Sequence, residues 1–345
     1  MANYKDIHGT NIETVTTDPS NPVTGQIWYN STEQKLKGFT SSPAGTWATS
    51  NNLNVARSSL SAQNIGLQTA ALAVGGYGEP PPNNSYAGVE SYNGSSWTEG
   101  ADLNNGRNSS AGCGTQTAAI TAGGDPFPGV GTKTETWNGS SWTEVNALNT
   151  SNKNQGMAGG SPAATQFGGG PPIRDNTETW NGTSWTEVAD QNTGRQTIAG
   201  FGTATACLAV GGSTPSVTAD VETWNGSSWT EGANLNTART KISAQGAVYT
   251  AGFAAGGETP PNTGNTKTES WNGTAWSEDG DLNVARSNFG GGGTITAGLV
   301  CGGDKHPGIA NETEEWTSPT TSTVDFDVSL MARVNFKNFT PRPKP

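Results

Sequence analysis

The chain has 345 residues, of which 31% are apolar and 14% charged, with 48 Gly, 19 Pro and a formal net charge of −11. Apolar content is too low, and helix breakers too many, for a large helical core, so the composition predicts an all-β chain of short strands joined by many turns. With 18 Lys and Arg against 29 acids, the surface suits no nucleic acid, whose binding rests on neutralising phosphates.

The opening residues, MANYKDIHGTN, are polar and lack an apolar h-region. No run approaches the roughly 18 apolar residues of a membrane span. The expectation is a soluble protein without a Sec-type leader and without membrane insertion. Thr24-Gly-Gln-Ile-Trp-Tyr-Asn-Ser-Thr32 followed by Lys35-Leu-Lys-Gly-Phe39 reads as a hairpin with alternating side chains.

From Trp47 a pattern recurs: E-x-W-N-G-S/T-x-W-x-E, then L-N-x-x-R, then small residues ending in Gly-Gly. The second Trp falls at Trp47, Trp97, Trp142, Trp185, Trp229 and Trp276, at intervals of 43 to 50 residues. Such spacing marks one supersecondary unit per copy. Five residues earlier stand Tyr92, Trp137, Trp180, Trp224 and Trp271, and Trp316 ends an incomplete last copy. Each indole buries roughly 150–250 Å² and offsets the shortage of Leu and Ile. Runs such as Thr69–Val74 and Thr205–Val210 are apolar and bounded by Gly, as buried strands are. The stretches before them, Ser109–Gly114 and Asn288–Gly293, carry small side chains suited to crowded innermost strands. Asn-Gly between the two aromatic positions predicts a tight hairpin turn, so the five Asn-Gly-Ser/Thr triplets are read as turn chemistry and not as glycan acceptors.

The recurring charged residues read as structural. Glu90, Glu135, Glu178, Glu222, Glu269 and Glu314 precede the first aromatic position by two, and Arg57, Arg107, Arg195, Arg239 and Arg286 close the L-N-x-x-R element. Their recurrence predicts Glu–Arg pairs within or between neighbouring repeats. The third copy has Asn152 in place of Arg. Cys113, Cys207 and Cys301 show no pairing or metal-ligand spacing and are expected as buried hydrophobes.

The order of apolar strand, Gly-Gly, variable loop, Glu-x-aromatic, short turn, Trp and Leu-Asn-x-x-Arg resembles the kelch repeat over roughly residues 39 to 318. That resemblance implies four-stranded blades and, from the copy number, a six-bladed kelch-like β-propeller over 39–323, between an N-terminal arm and hairpin (1–38) and a C-terminal segment with a basic tail (324–345). The first copy begins with an outer strand at Trp47, and the last stops at Glu315-Trp316 without one. The N-terminal strand is therefore expected to complete the last blade, removing two sheet edges. In the alternative, seven blades, Gln26–Asn30, Lys35–Phe39 and Val324–Met331 supply an irregular extra one.

Residues 19 to 39 also resemble a segment near the N-termini of structural proteins of tailed bacteriophages, particularly marine ones, in which a Gly-x-Ile/Leu-Trp-Tyr-Asn hairpin precedes a variable module. This implies a non-enzymatic virion protein, a tail, fibre or capsid appendage. Its terminal arms would hold other virion proteins, it would be oligomeric on the particle, and its propeller would face a host glycan or receptor. The tail, with Arg333, Lys337, Arg342 and Lys344 and no acid, suits an acidic neighbour.

Enzymatic readings fare less well. His8 and His306 are the only histidines, which excludes a multi-His copper site or a nucleophilic triad within one chain. Neither sialidase boxes nor a cofactor or metal motif is present. The rival is a free bacterial kelch-type carbohydrate-binding protein or an unrecognised glycoside hydrolase using Asp125 with Asp175 or Asp304. The loops after Gly-Gly differ from copy to copy, and variation among similar units marks the face that meets a partner. Tyr77, Tyr86, Phe127, Arg174, Lys305 and His306 are the candidate contact residues. Trp97, Trp142, Trp185, Trp229, Trp276, Glu135 and Arg239 are assigned to the framework.

Overall fold

The computed structural model describes residues 12–20, 22–23, 25–41, 44–61, 64–78, 85–126, 129–261, 263–305, 307–319 and 321–326. Regular structure in them is entirely β, without a helix. The chain divides into two compact units, residues 1–43 with 319–345 and residues 44–318.

The terminal unit is a sheet ordered Glu13–Val15, Ile27–Asn30, Lys35–Ser41, Thr321–Phe326, its first pair parallel and the others antiparallel. The expected hairpin forms its centre. Trp28 is fully buried there, and its Nε1 donates to Asp18 Oδ1 at 2.9 Å. Lys37 Nζ reaches Asp18 and Glu33, each at 2.7 Å. Boundaries at residues 38 and 323 would cut two strands that pair with each other from Leu36↔Phe326 to Ser41↔Thr321. The two ends thus share one sheet, because the ladder needs both. The segments of the alternative seventh blade, as far as they are described, lie in this sheet. The basic tail lies outside the described residues.

The larger unit repeats one plan six times. Repeat one is Asn64–Leu67, Ala70–Val74, Val89–Tyr92, Trp97–Glu99, and repeat two is Ala111–Thr115, Ala118–Ala122, Thr134–Trp137, Trp142–Val145. Repeat three is Gly156–Gly160, Ala163–Phe167, Thr177–Trp180, Trp185–Glu187. Repeat four is Ala199–Thr203, Ala206–Val210, Val221–Trp224, Trp229–Glu231. Repeat five is Ser243–Val248, Ala251–Ala255, Thr268–Trp271, Trp276–Glu278. Repeat six is Gly290–Gly293, Ala297–Cys301, Thr313–Thr317, and its fourth strand is Thr46–Ser50 from the front of the chain. Neighbouring strands within each repeat are antiparallel, and a parallel bridge between the first strands of repeats one and two joins those two into one eight-stranded sheet.

Local chemistry explains the plan. At each Asn-Gly turn the Asn Oδ1 accepts two following backbone N–H groups, as Asn138 does from Ser140 and Ser141 at 2.9 Å. The Gly then takes positive φ, +94° at Gly139, which a side chain disfavours. The turn sets the register Trp137↔Trp142, leaving the two indoles 5.4 Å apart and tilted. At Gly123-Gly124 a Cβ on Gly124 would lie 2.6 Å from the Asn108 carbonyl, so the second strand ends where only glycine allows the chain to pass so close.

The core sits in the seams between repeats. One cluster joins Phe201, Leu208 and Val221 of repeat four to Trp271 and Trp276 of repeat five. Equivalent clusters fill the other five seams, including Tyr92 and Trp97 of repeat one with Leu299 and Cys301 of repeat six. The three cysteines are buried and unpaired. Burial pushes their thiols up, that of Cys301 to about 12.

The six repeats close on themselves in three ways. Thr46–Ser50 pairs antiparallel with Thr313–Thr317, placing Trp47 opposite Trp316 as the Asn-Gly turns place the other pairs. Most fourth-strand indoles also donate to the third strand of the preceding repeat: Trp97 to Thr313, Trp185 to Thr134, Trp229 to Thr177 and Trp47 to Thr268, at 2.9–3.0 Å. The third closure is a ring of backbone bonds. Ser59, Ser109, Asn154, Thr197, Lys241 and Asn288 each enter a first strand with φ between 51° and 58°. Each N–H donates to the carbonyl of the previous member, and Ser59 N donates to Asn288 O at 2.7 Å, completing the circuit.

Candidate binding face

Strands that alternate in direction put two kinds of connection on opposite ends of each repeat. The first-to-second and third-to-fourth turns share one end; the second-to-third loops and the connections between repeats share the other. At that second end the two are stitched together. The N–H of each Arg position, or of Asn152, donates to a loop carbonyl of the preceding repeat: Arg57 to Ala310, Arg107 to Tyr86, Asn152 to Gly131, Arg195 to Arg174, Arg239 to Thr218 and Arg286 to Asn265, at 2.7–3.3 Å.

Beneath this face lie the expected ion pairs. Arg57–Glu90, Arg107–Glu135, Arg195–Glu222, Arg239–Glu269 and Arg286–Glu314 are 2.5–3.0 Å apart, and every partner is buried. Each Arg precedes the repeat whose Glu it meets, so the pair fastens a connection to the repeat it leads into. Arg239 Nη1 also donates to the Gly256 and Lys267 carbonyls, and Glu269 accepts from the Asn236 and Thr237 amides. Hydrogen bonds of this kind offset the cost of burying the charge, and the Nε of Arg57, Arg195 and Arg239 is left buried without a partner among the described residues. In repeat three, Asn152 Nδ2 bonds the Gly168 carbonyl at 2.7 Å and Gln166 Oε1 at 3.3 Å. Two neutral amides occupy the guanidinium's place, and burial holds the Glu178 carboxyl above its ordinary value.

Four of the six candidate contact residues are described. Tyr77 is exposed and pairs through Tyr77–Gly78 with Arg57–Ser58. Tyr86 is half-buried, its ring 5.2 Å from the Arg57 guanidinium carbon, and its carbonyl is one of the six stitches. Arg174 supplies another stitch, and its Nε is buried without a protein partner. Lys305 is ion-paired with Glu312. Phe127 and His306 lie outside the described residues. All four described positions belong to the loop end, but they are spread over repeats one, three and six, and no hydrogen bond, ion pair or ring contact joins them to one another. Of the acids weighed for hydrolysis, Asp125 is held by Lys153, Asp304 accepts from Asn288 Nδ2 at 2.7 Å, and Asp175 is exposed.

What the loop end does bring together is the rim of the ring. Its six members line a cavity of about 20 Å³ on the axis, room for one water. Beside it lies a recess of about 330 Å³ lined by Asn154, Gln196, Thr197, Ser213, Pro215, Val217, Thr240, Lys241 and Glu258. Three of its residues, Ser213, Pro215 and Val217, come from the second-to-third connection of repeat four, Val210 to Val221. None of these residues was among the sequence candidates. The signal was the pair of polar residues after each Arg position (Ser58-Ser59, Asn108-Ser109, Lys153-Asn154, Gln196-Thr197, Thr240-Lys241, Ser287-Asn288), which varies in identity where its surroundings recur.

Among the described residues no group of three or more His, Cys, Asp or Glu is placed to hold a metal ion. No family model matches the chain, and no curated protein matches it.

Proposed function

We propose that the larger unit is a six-bladed propeller of the kelch type, and that the chain is a non-enzymatic structural protein of a bacteriophage particle, presenting the loop end of the propeller to a host-surface glycan or receptor. The observation that carries the propeller is the cyclic rim, in which six equivalent residues from six repeats hydrogen-bond head to tail. A circuit of that kind supports six repeats arranged about one centre.

The virion reading rests on the likeness of residues 19–39 to phage structural proteins. It is supported by the fold of that segment as the middle of a separate compact unit, which suits a module used for attachment. The terminal unit is assigned to other virion proteins, and the loop end to the outer contact. Mass spectrometry of purified particles tests this: the chain is expected at stoichiometric level in intact virions. Its presence only in the infected-cell lysate, and never in particles, would overturn the reading.

A further inference from the structure

Seven of the nine residues lining the recess beside the rim belong to connections or loops around repeat four, and their chemistry is uneven in an informative way. Lys241 and Glu258 pair at 2.9 Å, and Glu258 also accepts from Ser287 Oγ at 2.9 Å, so the two formal charges in the recess cancel and are already bonded. The Asn154 and Gln196 amides and the Ser213 hydroxyl differ. They line the recess and make no side-chain hydrogen bond among the described residues. Their backbones are nonetheless fixed. Gln196 and Ser213 exchange both backbone bonds, at 3.1 and 3.0 Å, and Asn154 is held in the rim through its N–H to Ser109 and its carbonyl to Thr197.

Rigid backbones carrying unengaged amides and a hydroxyl make a preorganised set of groups that both donate and accept. Carbohydrate hydroxyls need both. Pro215, exposed at the wall, and Val217 supply an apolar surface for the C–H face of a pyranose. A recess of about 330 Å³ is at the lower end of small-ligand sites and takes roughly one or two sugar rings. A charged ligand would find no unpaired opposite charge. We infer that this recess is a saccharide-binding site for a neutral, hydroxyl-rich glycan terminus, held by Asn154, Gln196 and Ser213. The inference rests on the loop end being the contact surface and names its ligand class.

The test uses the full chain on an array of neutral and anionic bacterial-surface glycans, followed by titration of each retained neutral glycan by NMR. Neutral glycans are expected to be retained, and Asn154→Ala and Gln196→Ala are each expected to weaken binding about tenfold; the melting temperature stays unchanged in Gln196→Ala and falls slightly in Asn154→Ala, whose positive φ suits Asn better than Ala. Retention of anionic glycans alone, no retention of any neutral glycan, or binding by both variants as tight as that of the unaltered chain would overturn it. Virion membership is read separately by particle mass spectrometry, so a failure here leaves that reading standing.

Discussion

Arg239 shows how a single residue is made indispensable by what surrounds it. The guanidinium is fully buried, bonds three carbonyls and Glu269, and is the only cation paired with that carboxylate among the described residues. Arg239→Ala would leave Glu269 buried and uncompensated, a loss of about 3–5 kcal/mol, and the melting temperature is expected to fall by about 10 °C; an unchanged value would refute the pairing. Two departures from the repeat predict gains instead. Gln191 stands where the other repeats have Leu53, Leu103, Leu148, Leu235 and Leu282, and both of its side-chain polar atoms are buried without a protein partner. Gln191→Leu should therefore stabilise by about 1–2 kcal/mol, seen as a denaturation midpoint shifted upward; a downward shift would contradict the reading. Trp142 Nε1 is likewise unpartnered, because Val89 occupies the position from which Thr313, Thr134, Thr177 and Thr268 accept an indole. Val89→Thr supplies that oxygen and should add about 1 kcal/mol. Chemical denaturation of this variant alongside wild type decides the matter, and a lower midpoint would show that burying the hydroxyl outweighs the bond.

At the scale of elements, the strands, the Asn-Gly turns and the strand supplied from the front of the chain were legible because each rests on local chemistry repeated several times. A turn that needs positive φ and a strand that needs small residues leave the same mark in every copy. The rim was not legible, and the recess was legible only through Ser213, Pro215 and Glu258, which belong to the variable loops after Gly-Gly. The rim residues are linked by backbone bonds, which place little constraint on side-chain identity, so Ser59, Asn154 and Lys241 occupy equivalent places without looking alike. The terminal sheet was largely legible: its hairpin shows in Gln26–Asn30 and Lys35–Phe39, and the seven-blade alternative grouped Val324–Met331 with them, whereas the parallel strand Glu13–Val15 has no pattern that announces it. That sheet carries its own pH dependence. Hydrogen bonds from Lys37, Asn30 and Trp28 hold the Asp18 carboxyl at about 2. A carboxyl depressed on folding stabilises above its ordinary value near 3.8, and that contribution is lost as pH falls through about 2. The indole N–H resonance of Trp28 should hold its position down to about pH 3 and shift between there and about pH 2; a shift centred near pH 4 would mean that Asp18 is not held by these donors.

For the whole molecule, closure organises the six repeats. Each seam needs both neighbours: its apolar cluster, its loop stitch and, in most seams, an indole bond join two repeats. An open array would leave one seam exposed and two sheet edges unpaired. The chain resolves this by splitting repeat six, so that Trp47 meets Trp316 and the first connection, Leu53 to Ser59, leads back into repeat one. Closure also assembles the loop end, since a rim made from all six connections exists only in a complete circle. Amide hydrogen exchange of the six rim donors measures this directly. If the ring is closed, the Ser59 amide, whose acceptor is the Asn288 carbonyl of the last connection, exchanges as slowly as those of Ser109, Asn154 and Thr197. A Ser59 amide exchanging at the rate of an unprotected peptide, while the other five remain slow, would show an open array and contradict the account.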